Sequence, residues 1–338
     1  MIIQRVTLTA VLFALCGCGG GMPGHPEPGP RPKLLTVHKL ADSFGIYDMD
    51  SGLLETEIPT SVKPHEFALG PDTRYAFITD YGVDTYTDEG EGGNTITIID
   101  LHARKVDGTI STGGYRRPHA IELLPSGLFY VTTEKPAAVH IVDPKARKVL
   151  HTIPVEGQLP HMVYVKHDES KAWTADSGSG TVSVIDLKAR KQIGTIETGG
   201  VPMGFAAPKD ESELFLATRE GNEIVVLDPR ADTVKERITM PGRPGRLLMS
   251  PDGKSLLVAC IGSDEAVLLD AASRKELARA GQFKRAEGMA MHPAGQSFFL
   301  AAQMDNRIVR LSLPDLKVMQ KIETKAKPDP IVIWTPAR

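Results

Sequence analysis

Three histidines occupy one position of a repeating pattern. His65, His119 and His161 each follow a proline, and the equivalent residues further along the chain are Met203, Gly245, Glu287 and Asp329. The chain has 10 His among 338 residues, so composition alone does not put three of them at one repeat position. Imidazoles with carboxylates nearby form the donor sets of Zn, Cu, Fe and Ni sites. The same residues fit two other roles. An organic or anionic ligand, or a protein partner, could dock there, with Arg246 and Arg219 (and Arg116 and Arg117) to meet an anion. Alternatively, each His simply bonds a neighbouring carbonyl at a strand start. The candidate ligand-binding set is His65, His119, His161, Met203, Glu287, Asp329 and Arg246, and the candidate metal ligands are the three His. No catalytic residue follows from the sequence, because GxSxG, the P-loop, HExxH and CxxCH are all missing from it.

The repeat explains why these residues would meet. Pro118, Pro160, Pro202 and Pro244 are each 42 residues apart, and the next steps fall on Ala286 and Pro328, with Pro64 as an earlier copy. A second marker ends an apolar pair at Asp48, Asp100, Asp143, Asp186, Asp228 and Asp270, with Ser312 in the seventh place. The unit from Pro160 reads as four short strands: 162–165, 172–175, 182–185 and 192–196. Polar turns such as His167 to Ser170 separate them. Several strands are apolar on both faces, as in Val225-Val226-Leu227 and Val267-Leu268-Leu269. That suits a blade wedged between two others rather than a sheet with one wet face. The expected fold is therefore all-β, a seven-bladed β-propeller of four-stranded antiparallel blades. Its closing blade takes strands near Leu34–Val37, Ile46–Asp48 and Leu53–Ile58 from the N-terminus and one near 328–334 from the C-terminus. Such closure removes an open sheet edge. The residue after each repeat proline then lies near the axis, on one face, together with the second-strand ends His38, Asp80, Glu134, Asp176, Arg219 and Gln303.

The unit resembles the YVTN repeat of YncE-like seven-bladed propellers over roughly residues 34–336. The signature positions read Phe77-Ile78-Thr79-Asp80, Tyr130-Val131-Thr132-Thr133, Trp173-Thr174-Ala175-Asp176, Phe215-Leu216-Ala217-Thr218, Leu257-Val258-Ala259-Cys260 and Phe299-Leu300-Ala301-Ala302. The signature's terminal Asn is missing from every copy. The resemblance implies the fold and leaves the activity open, since one fold hosts unrelated functions. Propellers similar in fold hold copper or haem through His near the axis, but those ligand patterns do not map onto this chain residue by residue.

One loop departs from the period. Residues 80–94 (DYGVDTYTDEGEGGN) join a second strand to a third and should hang over the His-bearing face. Its acidic residues suit a lid, a weak Ca²⁺ site or a solvated insertion.

Net charge is −3 and aromatics are 6% of residues, which argues against a nucleic-acid surface. The N-terminus reads as a targeting segment. Arg5 precedes an apolar run from Val6 to Leu15, and then comes Leu15-Cys16-Gly17-Cys18. This is similar to a bacterial lipoprotein box with Cys18 as the lipidated residue. The expected organisation is a signal peptide (1–17), a Gly/Pro-rich tether (18–33) and the propeller (34–338). The function expected from these readings is a lipid-anchored envelope protein, on the periplasmic side or surface of the outer membrane. It would be monomeric and would bind a small molecule or protein partner at the axial face. The alternative is a metal- or cofactor-dependent periplasmic enzyme of oxidoreductase type, built on the same His and carboxylate ring. Cys260, in the run Leu256 to Cys260, reads as a buried small residue.

Overall fold

The computed structural model describes residues 30–336. The expected signal peptide, Cys18 and most of the expected tether lie outside the described residues. Seven four-stranded antiparallel sheets follow one another, and each is one repeat unit. The unit from Pro160 folds as Pro160–Val165, Lys171–Asp176, Thr181–Asp186 and Lys191–Glu197. Each strand reaches one or two residues beyond its apolar run, because the flanking polar residues still pair across the ladder.

The inner edge strand of each blade touches its counterparts in both neighbouring blades. These strands are Pro64–Leu69, Arg116–Leu123, Pro160–Val165, Pro202–Ala206, Pro244–Met249, Ala286–Met291 and Pro328–Trp334. The last of them touches the first, so the ring is closed. Blades are numbered here from the closing one. Blade 1 is Pro328–Trp334, Lys33–His38, Ser43–Asp48 and Leu54–Pro59, and blades 2 to 7 begin at Pro64, Arg116, Pro160, Pro202, Pro244 and Ala286. Its first N-terminal strand begins at Lys33, one residue inside the expected tether, where the ammonium pairs with Asp48 and Glu55. Trp334 in the C-terminal strand donates its indole N–H to the Thr73 carbonyl of blade 2 at 2.8 Å.

The core is divided in the way the two-sided apolar strands require. Seven buried apolar clusters occupy the seven gaps between adjacent blades. In the gap between blades 4 and 5, Trp173, Val184, Leu216 and Val225 interlock. Burying such side chains stabilises by about 1.5–3 kcal/mol each, so removing one blade would uncover two clusters at once. Cys260 lies free and buried in one of these gaps, and burial pushes its thiol up to about 12, leaving it inert.

One local irregularity recurs and matters for the site. The inner ladder slips just after the repeat residue, between Pro64 and Phe67, Pro118 and Ile121, Pro160 and Met162, Pro202 and Phe205, Pro244 and Arg246, and Ala286 and Met289. The preceding residue is left-handed in six units: Lys63, Arg117, Leu159, Arg243, Arg285 and Lys327, with φ of 51°, 56°, 52°, 59°, 57° and 61°. Such φ is uncommon for residues other than Gly. A bulge of this kind frees the next residues from strict alternation and re-aims their side chains.

Candidate functional site

The bulges bring the three histidines together. Ring centroids lie 4.3 Å apart for His65 and His119, 3.6 Å for His119 and His161, and 6.4 Å for His65 and His161. Second-strand threonines fix them from the backbone side. The Thr79 hydroxyl bridges the carbonyls of Glu66 and His119 at 3.0 and 2.9 Å, and that of Thr132 donates to the His161 carbonyl at 3.2 Å. Each threonine thus ties a bulge to the neighbouring blade.

All three rings are buried. Burial first, and then nearby positive charge and one another, hold the imidazoles well below their usual range. They are neutral at pH 7, the form that ligates metals. Among the described residues, His65 Nδ1 and both ring nitrogens of His119 have no hydrogen-bond partner. A buried polar atom left in this way costs about 1–3 kcal/mol. One donor atom each from His65, Glu66 and His119 lies within 4.8 Å of the others, a spacing that suits one shared ion.

His161 differs from its two neighbours. Its Nδ1 is 3.4 Å from Glu134 Oε1, and its ring faces an enclosed space. Glu134 accepts a hydrogen bond from the Tyr81 hydroxyl at 2.7 Å and lies 3.8 Å from the Arg117 guanidinium. The third member of the close donor set is therefore Glu66 rather than His161. The proline-plus-one rule passed over Glu66 because it took only one residue per unit, whereas the bulge turns two inward.

A cavity of about 40 Å³ lies beside the cluster, enough for a few waters or one small ligand. Its wall includes His65, His161, Arg219, Arg246, Glu287 and Asp329, and Lys39 and Lys327 complete it. Tyr81, Asp84, Thr85 and Tyr86 of the 80–94 loop also line it, so the loop lies over the His-bearing face as its place in the repeat implies. Fully buried Arg117 anchors that loop by donating to the carbonyls of Tyr86, Asp88 and Gly90 at 3.3, 2.6 and 2.8 Å. Arg116 instead pairs with Glu91 at the surface. Most of the loop carboxylates are spent on protein contacts: Asp88 caps Asp84 and Thr85, Asp84 pairs with Lys327, and Glu91 pairs with Arg116.

The remaining expected residues divide into two groups. Arg246 reaches the axis, bonds Glu66, and lies 3.9 Å from both Glu287 and Asp329. Next to it, Arg219 and Glu287 meet at 3.4 Å beside Gly245, where a methyl group would make only ordinary contacts with them. Met203, by contrast, packs in the apolar gap between blades 5 and 6, where Ser177 donates to its sulfur. It does not line the cavity. His38 is occupied by Ser43 and Tyr47, Asp80 by Thr95 and Thr97, and Asp176 by Thr174 and Ser183. These are structural bonds within a blade. Of the second-strand ends, Glu134, Arg219 and Gln303 reach the site.

Fold and site define a seven-bladed β-propeller with a polar, histidine-bearing axial cavity. No family model matches the chain, and no curated protein matches it. Solved structures do. The periplasmic gluconolactonase PpgL of Pseudomonas aeruginosa is similar with a TM-score of 0.73 at 16% identity, over 90% of this chain and 99% of that one. Hydrazine synthase of Kuenenia stuttgartiensis gives 0.66 at 19% identity, over 78% and 87%. The dihydro-heme d1 dehydrogenase NirN gives 0.65 at 14% identity, over 92% and 77%. At these identities the likeness is one of fold.

Proposed function

We propose that this protein binds a transition-metal ion at the axial cluster, with His65 and His119 as ligands and Glu66 or His161 completing the set. The unpartnered ring nitrogens carry this reading: two buried neutral imidazoles face each other with donor atoms free. Nitrogen and carboxylate donors suit Zn, Cu or Fe. A structural ion would be closed off by four protein ligands, whereas here the cluster adjoins a cavity. An ion with an open position is the arrangement of a metal-dependent enzyme or a small-ligand carrier. The fold likeness to a periplasmic gluconolactonase and to NirN is compatible with the enzymatic form. The amino-terminal Leu15-Cys16-Gly17-Cys18 and the YVTN-like repeat support a lipid-anchored envelope protein of the YncE-like kind.

The test is metal analysis of protein purified without chelators, alongside His119→Ala. About one equivalent of one metal is expected in the wild type, with most of it lost in the variant. Equal content in both, or none in either after exposure to Zn²⁺, Cu²⁺ and Fe²⁺, sinks the reading. Acyl labelling that survives Cys18→Ala would remove the proposed anchor site.

A further inference from the structure

The charges around the cavity do not cancel, and the one left over is Lys39. Five cationic side chains line the space, Lys39, Arg219, Arg246, Arg285 and Lys327, against three carboxylates, Asp84, Glu287 and Asp329. Most of the cations are accounted for. Arg219 meets Glu287, Lys327 meets Asp84, and Arg246 bonds Glu66 from the axis. Arg285 donates to Gln303 at 2.9 Å, and Gln303 donates onward to Asp329 at 2.9 Å, so this pair is joined through an amide. Lys39 is only 3% exposed, yet among the described residues its amine makes no ion pair or hydrogen bond. Its one polar contact is the face of Tyr81, 4.9 Å from the ring centroid. Burial, and then the neighbouring Lys327, pull its amine down to about 7, so it is only partly charged at neutral pH, and an anion beside it is the partner that would hold it charged.

We propose that the cavity between the imidazole cluster and the 80–94 loop is a binding pocket for one small oxyanion, with Lys39 as its principal counter-charge and Arg285 at its rim. The volume of about 40 Å³ limits the ligand to a few heavy atoms, such as a short carboxylate, nitrate or phosphate. Tyr81 and Tyr86 line the space beside the cations, and partial exclusion of water there strengthens charge-assisted contacts. The three lining carboxylates are already engaged by their neighbours, which leaves one amine to meet added negative charge and favours a monoanion. The pocket carries its own cations, so the inference stands whether or not a metal occupies the histidines.

The experiment uses the folded protein, metal-stripped and metal-loaded, in a low-salt buffer. Formate, nitrate and inorganic phosphate are titrated by calorimetry and thermal shift into wild type, Lys39→Met and Arg285→Met. Wild type should bind at least one of the three in both metal states. Lys39→Met should weaken binding about tenfold or more and Arg285→Met by less. Lys39→Met should itself melt no lower than wild type, because it deletes a lone buried charge of similar shape. Failure of all three anions to bind, or unchanged affinity in Lys39→Met, overturns the pocket. Binding confined to metal-loaded protein overturns it too, since the anion would then belong to the ion. Metal content is measured separately, so failure of the metal reading cannot be mistaken for failure of the pocket.

Discussion

Replacing His119 by Leu separates a metal ligand from a structural histidine. His119 is fully buried, and among the described residues neither ring nitrogen has a protein partner. In metal-free protein those atoms are a burden of about 1–3 kcal/mol each, less whatever an enclosed water returns. Leu is close in size and carries no polar atom. Metal-free His119→Leu should therefore melt at or above metal-free wild type. With metal the order reverses. An ion present at about 100 times its dissociation constant stabilises the native state by about 2.7 kcal/mol, which for a domain of this size is ~4 °C in Tm. Wild type should gain that shift on adding metal and His119→Leu should not. Differential scanning fluorimetry with and without chelator reads both halves. A variant that melts well below chelated wild type, yet keeps the metal shift, would refute the reasoning and make His119 a packing residue.

Three further expectations concern the frame around the site. Arg117→Met removes the donor to three loop carbonyls. Hydrogen exchange across residues 82–93 should speed up, with a stability loss of about 3 kcal/mol, and an unchanged exchange pattern would mean the loop is held otherwise. Glu122 has an enclosed carboxylate oxygen without a partner among the described residues, and burial pushes its carboxyl up to about 8. The native state then holds a proton that the unfolded chain releases above its ordinary 4.5, so Glu122 lowers stability as pH rises from 4.5 to 8. Glu122→Gln should be more stable than wild type at pH 8, with the difference vanishing toward pH 4.5, and parallel denaturation curves at both pH values would contradict this. Ending the chain at residue 327 deletes the inner strand Pro328–Trp334, bares the edge of Lys33–His38 and removes Asp329 from the cavity. Insoluble or strongly destabilised protein is expected, and a truncated protein melting like the parent would contradict the closure.

The architecture was legible because it is written in repetition. The 42-residue step, the two-sided apolar strands and the incomplete units at both ends together specify seven closed blades, and the interblade clusters follow from those runs. The site was legible only where it obeys the repeat. His65, His119, His161, Glu287 and Asp329 share the register and meet at the axis. Met203 shares it too and turns into the core, because a flexible apolar side chain gains more between blades than in a charged cavity. Glu66 was missed because the bulge that breaks alternation leaves no mark in composition. Lys39 lies one residue beyond His38, in the turn that follows the strand, and lines the cavity while His38 bonds within its own blade. Tyr81 and Tyr86 sit in the one stretch without a repeat, where only contact with Glu134 and the cavity reveals their part.

X-ray absorption at the edge of the bound metal tests the central claim most directly. Protein loaded with one equivalent of the ion that it retains on purification should show two imidazole nitrogens at about 2.0–2.1 Å, with oxygen donors filling the shell. Alanine at both His65 and His119 should abolish that imidazole signature. A shell of oxygen alone, or one unchanged by the double substitution, would mean that the ion lies elsewhere and that the axial histidines are not its ligands.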